Sequence, residues 1–210
     1  MLKHLQNLPP LFCKPISISY ENEILFFSNF RIDEKPIVFR SLQLSTDTKI
    51  LHDWVNRDYA KRFWNFARSE RKIADHYFEI LKSPHTHSFI GLLEDRPVCQ
   101  VDIYLVIADE LHSHILQVNA DDSGMHFLMA PLHKRIPKLS TYLFCAFLEF
   151  YFSFPMAQRM FGEPDEKNIN ANKLVVRVGF QFLKTMQLAY KTANLYSITK
   201  NQFYAKNKVS

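Results

Sequence analysis

Between residues 121 and 168 the chain sets an imidazole, a basic turn and a carboxylate in an order suited to proton transfer beside a phosphorylated carrier. His126 lies in the apolar run Asp122-Ser123-Gly124-Met125-His126-Phe127-Leu128-Met129-Ala130, which reads as a strand. Alternation puts His126 and Leu128 on one face and Met125, Phe127 and Met129 on the other. A basic turn, His133-Lys134-Arg135-Ile136-Pro137-Lys138, then opens into a long apolar stretch. Cations beside the unpaired N–H groups of a helix start form a ready phosphate site. A second short strand, Gln158 to Gly162, ends in Glu163-Pro164-Asp165-Glu166-Lys167-Asn168. If the two strands are neighbours, His126 and Asp165 converge at one edge as an acid–base pair. Each feature also has a plainer reading. A lone histidine in an apolar strand is commonly a hydrogen-bonded core residue, and Lys134, Arg135 and Lys138 also suit a solvated surface.

Other residues invite chemistry less strongly. Trp54 and Trp64 either stack on an acceptor's cation or aliphatic chain, or are core aromatics. Asp102, a charge within an apolar strand, either faces solvent or meets a cationic substrate. The pairs His85/His87 and His112/His114 share strand faces, but no Cys or carboxylate stands at ligand spacing beside them, so no metal site is expected.

Several elements must position these groups. The first 40 residues, with Pro9, Pro10, Pro15 and Pro36 around Ile16 to Tyr20 and Ile24 to Phe27, read as one or two hairpins laid on the main body. A helix is expected after Ser45 and Thr46 with Asp47 in its first turn, then a short one holding Tyr59, Phe63 and Trp64, then one beginning at Ser69 with Ile73, Tyr77, Ile80 and Leu81 on one face. Pro84 ends it, and residues 88–93 and 98–106 form a hairpin about Glu94-Asp95-Arg96-Pro97. The stretch from Lys138 to Phe152 is apolar nearly all round and predicts a helix buried on more than one side. A helix from Asn170 to Val178 stops at Gly179, and 180–183 and 186–190 read as closing strands. The tail from Lys191 has no clear pattern.

At 210 residues with 47% hydrophobic content, the chain has enough material for one large domain with its own core. A net charge of +5 suits an anionic partner. Its basic residues are not interleaved with aromatics in a nucleic-acid-binding module, so no nucleic acid is expected. Cys13, Cys99 and Cys145 are scattered and odd in number, which suits reduced thiols in the cytoplasm. No stretch has the length of a membrane span or the form of a signal peptide, so no membrane partner is expected.

With these residues in view, the sequence resembles the GNAT superfamily of acyl-CoA N-acyltransferases, and within it the siderophore-biosynthesis branch that acylates N-hydroxylysine or N-hydroxylated diamines. The resemblance covers about residues 40–205. It rests on Gly124-Met125-His126-Phe127-Leu128, on Glu163-Pro164-Asp165-Glu166-Lys167-Asn168, on Val178-Gly179-Phe180 and on Lys191-Thr192-Ala193-Asn194-Leu195. His52-Asp53-Trp54, Phe63-Trp64 and Asp102-Ile103-Tyr104 fit upstream, the last where the branch more often has Glu. The resemblance implies an α/β GNAT fold, a mixed and strongly twisted sheet flanked by helices. It would comprise a β-rich extension over 1–40 and an acyltransferase domain over 41–210. Strands 124–130 and 157–163 would splay to admit the pantetheine arm of an acyl-CoA co-substrate, such as acetyl-CoA or succinyl-CoA.

By the same resemblance His126 and Asp165 are the catalytic pair. Phe127, Leu128, Met129, Lys134, Arg135, Lys138, Leu139, Ser140 and Asn168 would bind the acyl-CoA, and Trp54, Trp64, Asp102, Tyr104 and Glu163 the small N-hydroxylated amine. Where the superfamily has Arg/Gln-x-x-Gly-x-Gly/Ala, residues 134–140 contain no glycine, and Arg135-Ile136-Pro137 is compatible with a proline-containing version. The implied state is a monomer or homodimer. Two rival readings are an acetyltransferase for another amine, such as an aminoglycoside or a protein N-terminus, and a GNAT-like module that binds without catalysis.

Overall fold

The computed structural model describes residues 11–12, 23–63, 69–131 and 136–207. Its fold is built on an apolar helix set against one face of a mixed sheet. Helix α4, Leu139–Ser153, is buried without a break from Leu143 through Phe152. A helix apolar on all sides can be stable only when neighbours cover it. Here it packs on strands β1 (Ile24–Ile32) and β2 (Lys35–Ser41), stacking Phe150 on Phe39 at 5.9 Å, with Phe147 edge-on to Phe39 at 5.5 Å. A buried Phe contributes about 1.5–3 kcal/mol each, so this aromatic layer is a large share of the core's stabilisation.

The sheet continues with β3 (Thr86–Leu93), β4 (Arg96–Leu105), β5 (Ser123–Met129), β6 (Arg159–Gly162), β7 (Gln181–Gln187) and β8 (Thr192–Thr199) in the order β1-β2-β3-β4-β5-β6-β8-β7. Every neighbouring pair is antiparallel except β5 with β6. Two hairpin turns, Asp33-Glu34 and Glu94-Asp95, place both central residues at positive φ, the twist that suits two-residue hairpins. Because β2 pairs with β3, residues 24–41 extend the main sheet instead of lying on it as a separate hairpin. The expected strand over 16–20 lies outside the described residues.

On the other face lie α1 (Leu44–Val55), the short α2 (Asp58–Lys61) and α3 (Glu70–Lys82). Ser69 caps α3 by accepting from the Lys72 amide. Asp47 sits in the first turn of α1 as expected, but its carboxylate also takes both guanidinium nitrogens of the buried Arg40 at 2.7 Å. Trp54 is 4% exposed and packs in this layer with Leu51, Ile73 and Leu128.

After α4, helix α5 (Ile169–Val178) ends at Gly179, whose φ of 119° supplies the left-handed cap. The C-terminal fifth is more regular than its sequence pattern suggests. A single strand, β7, replaces the two short closing strands, and the patternless tail supplies β8 and α6 (Lys200–Lys206), where Thr199 and Gln202 form a capping box. Tertiary pairing made β8 a strand: it lies between β6 and β7 and hydrogen-bonds to both. Among the described residues no helix is long and apolar enough to cross a membrane.

Candidate active site

Strands β5 and β6 part company almost at once. They pair only at Ser123 with Met160 and Gly124 with Phe161, so β5 runs on from Met125 without a β6 neighbour. On its other edge β5 stays zipped to β4 over its full length. The Ala130 N–H reaches the Val98 carbonyl and the Asp122 carbonyl accepts from Val106, so even-numbered residues aim their peptide groups at β4. By alternation, Phe127 and Met129 aim theirs into the fork. The Met129 carbonyl accepts a hydrogen bond there from the Tyr59 hydroxyl at 2.6 Å.

At the fork sits a compact polar network. His126 Nε2 lies 2.9 Å from Glu163 Oε1, the Tyr104 hydroxyl donates to Glu163 Oε2 at 2.9 Å, and Lys191 Nζ is 3.6 Å from Glu163 Oε1. Glycine at 124 makes the network possible. A Cβ there would stand 2.1 Å from the Tyr104 ring, so the ring can cross β5 only because Gly124 has no side chain. Glu163 is held from the other side by the tail. Asn194 N–H donates to the Pro164 carbonyl, Glu166 N–H to the Thr192 carbonyl, and Asp165 bridges Ala193. These bonds bring Lys191 beside Glu163.

Burial alone would raise the Glu163 carboxyl, but the charge and hydrogen bond of His126, then Lys191 and the Tyr104 hydroxyl, overcome it and hold the group at about 2. For His126 burial acts downward, and the Glu163 hydrogen bond and charge, helped by Asp102, reverse it to a net rise. The imidazole is therefore a stronger base than usual beside a carboxylate ionised at neutral pH. Its side chain remains 41% exposed, toward a cavity of about 560 Å³.

That cavity collects residues from α3, β4, β5, α5 and the 190–191 turn. Asp102 and His126 are cross-strand neighbours, and both line it. Asp102 is 5% exposed and accepts from Ser88 and Gln100. Burial raises its carboxyl against those hydrogen bonds and the two nearby imidazoles. His76 of α3 also lines the cavity, and burial lowers its pKa despite Asp102, with His126 acting in the same direction.

The structure sorts the residues expected from the sequence. His126, Asp165, Asp102, Tyr104, Glu163, Phe127 and Asn168 all line this one cavity. The hydrogen-bond partner of His126 is Glu163 and not Asp165, whose Oδ1 instead accepts from the Lys167 amide at 2.7 Å. The strand carries only as far as Gly162, so the residue directly after it is the one within imidazole reach. Trp54 is not among the residues lining this cavity, because its face of α1 is the one buried on the sheet. Leu128 and Leu139 are each 2% exposed and belong to the two apolar layers, so any contact they make with a ligand is through the backbone. Met129 packs against the α4 layer. Trp64, Lys134 and Arg135 lie outside the described residues.

Lys138 precedes α4 at φ 59°, the left-handed conformation that glycine adopts without cost, and no side chain caps the helix. The turn thus takes a glycine-like backbone without a glycine. Ser140 follows in the first turn, where N–H groups have no intrahelical acceptor. Sequence reasoning assigned no role to His76, Asp109, Tyr190 or Lys191, all of which line the cavity. Only Lys191 carried a signal, in the segment Lys191 to Leu195.

Neither His-x-His pair forms a centre. His87 is buried, with Nδ1 2.9 Å from the Leu11 carbonyl and Nε2 3.0 Å from Ser41 Oγ. Among the described residues no group of three or more His, Cys, Asp or Glu side chains could hold a metal ion.

Residues 43–188 match the Acetyltransferase (GNAT) domain family, so the chain belongs to that family and is an N-acyltransferase. It is 23% identical over 193 residues to a putative lysine N-acyltransferase of Schizosaccharomyces pombe, covering 91% of this chain but only 56% of that protein. It is 22% identical over 184 residues to the N-hydroxyputrescine acetyltransferase of Acinetobacter baumannii, covering 85% of each. Among solved structures, an uncharacterized protein of Bacillus halodurans superposes with TM-score 0.80 at 22% identity, covering 86% of this chain and 93% of that one. The aminoglycoside acetyltransferase AAC(6')-Ib in complex with coenzyme A and kanamycin gives 0.72 at 20% identity, covering 82% and 99%. These likenesses support the mixed α/β fold.

Proposed function

We propose that the protein transfers an acyl group from an acyl-CoA, such as acetyl-CoA or succinyl-CoA, to the hydroxylamino nitrogen of an N-hydroxylated lysine or diamine, as in hydroxamate siderophore biosynthesis. The observation that carries this reading is the His126–Glu163 pair at the fork of β5 and β6, facing a cavity of about 560 Å³. Names of the relatives point the same way, and the fold's likeness to an aminoglycoside acetyltransferase keeps another amine as the second reading.

The residues divide the work. Phe127 N–H, aimed into the fork, suits the oxygen of a tetrahedral intermediate. His126 takes the proton as the C–N bond forms and returns it to the thiolate as the C–S bond breaks. Glu163 orients the imidazole and stabilises its protonated form. Asp165, lining the same cavity, acts with His126 in handling the acceptor's proton, while Lys138, Ser140 and the first turn of α4 hold the pyrophosphate. A hydroxylamine nitrogen is largely neutral at pH 7, so positioning contributes more than deprotonation.

A mass-spectrometric screen of acyl-CoAs against N-hydroxylated and ordinary amines tests the reading. Hydroxamate products are expected, with His126→Ala or Asp165→Ala lowering turnover by roughly 100-fold or more in folded protein. Wild-type rates in both variants would remove these side chains from the chemistry, and products from ordinary amines alone would favour the second reading.

A further inference from the structure

We propose that the far end of the acceptor is a free ammonium with no carboxylate beside it, so that the site takes a singly N-hydroxylated diamine and turns away the matching amino acid. This rests on the acyl-transfer reading of the same cavity. The cavity's charge balance carries the proposal. Asp102, Asp109, Glu163 and Asp165 all line the cavity with the imidazoles of His76 and His126, the latter engaged by Glu163, whereas Lys191 is the single ammonium or guanidinium among the described lining residues. Lys191 already lies 3.6 Å from Glu163. An amino acid's carboxylate, brought into a cavity of low polarity, needs a cation to replace its lost hydration. No lysine or arginine among those residues is at liberty to supply one.

Asp109 is the carboxylate that fits the far ammonium. Asp102 is too near the reacting end: it sits across the strand pair from His126, neighbours of this kind being about 5 Å apart, and its Oδ1 is engaged by Ser88 and Gln100. The end of a diamine lies several bonds further on. Asp109 stands past the end of β4, beyond Tyr104, and lines the cavity together with the Tyr190 ring. Among the described residues its one hydrogen-bond donor is the Leu111 amide, at 2.9 Å to Oδ1. Burial raises its carboxyl against the Leu111 amide and the His126 imidazole, and the like charges of Glu163 and Glu110 push it further up, a repulsion that a bound ammonium would relieve and a carboxylate would increase.

Binding of N-hydroxycadaverine and N6-hydroxylysine, which differ by one carboxylate, is measured by calorimetry on the full chain at pH 7 without acyl donor. The diamine should bind at least 10-fold more tightly, equivalent to about 1.4 kcal/mol. Asp109→Asn, which keeps an acceptor for the Leu111 amide, should remove most of that preference by weakening the diamine alone. Equal or tighter binding of the amino acid, or binding of neither, overturns the proposal, and an unchanged ratio in Asp109→Asn overturns the placement of the ammonium. A diamine preference without acylation when each acyl-CoA of the screen, acetyl-CoA and succinyl-CoA included, is added would leave this charge selectivity standing and sink the acyl-transfer reading instead.

Discussion

Replacing Glu163 with Gln keeps the shape of the network and removes its central charge. The wild-type carboxyl is held at about 2 against an ordinary 4.5. At about 1.4 kcal/mol per pH unit, folding favours its ionised form by about 3 kcal/mol. Because the folded value is the lower one, that stability is present above pH 4.5 and is lost as pH falls through about 2. In the Gln variant this contribution is absent at every pH. His126 also loses the hydrogen bond and charge that oppose its burial, so its pKa falls relative to wild type. Urea unfolding followed by tryptophan fluorescence at intervals between pH 5.5 and 2.5 measures the first effect. Glu163→Gln should be less stable than wild type by about 3 kcal/mol at the upper end, the gap narrowing as acid is added. An NMR titration of the His126 ring measures the second. Stability curves that run parallel, together with an unmoved imidazole titration, would show that the charge pair is not coupled to folding and that the reasoning is wrong.

Two further substitutions probe the surroundings of this pair. Gly124→Ala should force the Tyr104 ring off β5, costing about 1–3 kcal/mol by chemical denaturation and lowering kcat/KM as the Glu163 contact is lost; a fully stable and active variant would mean that the ring can move freely. Lys138→Gly should relieve a left-handed residue and stabilise the fold by about 1 kcal/mol in the same assay, while raising KM for acyl-CoA if the ammonium helps hold phosphate. An unchanged KM there would leave phosphate binding to the backbone and to other cations.

Periodicity and punctuation in the sequence determined the local elements. Alternation in 123–129, Ser69 ahead of α3, the unbroken apolar run of α4 and Gly179 after α5 each mark their element, because a strand's two-residue period and a helix's orphan end groups are properties of a few adjacent residues. The resemblance carried by Gly124 to Leu128 and Glu163 to Asn168 also marked the two stretches that meet at the cavity. Which carboxylate reaches His126 was not legible, since Glu163 and Asp165 stand two residues apart and both line the cavity. The choice fell to the length of β6 and to the clasp of residues 192–194, a contact between stretches about 30 residues apart in sequence. Trp54 was likewise ambiguous until α1 was laid on the sheet, when burial of one helix face fixed its side chain in the core. The tail became β8 for the same reason: backbone groups with weak local preference adopt whatever ladder their neighbours offer, and here β6 and β7 offered one on each side.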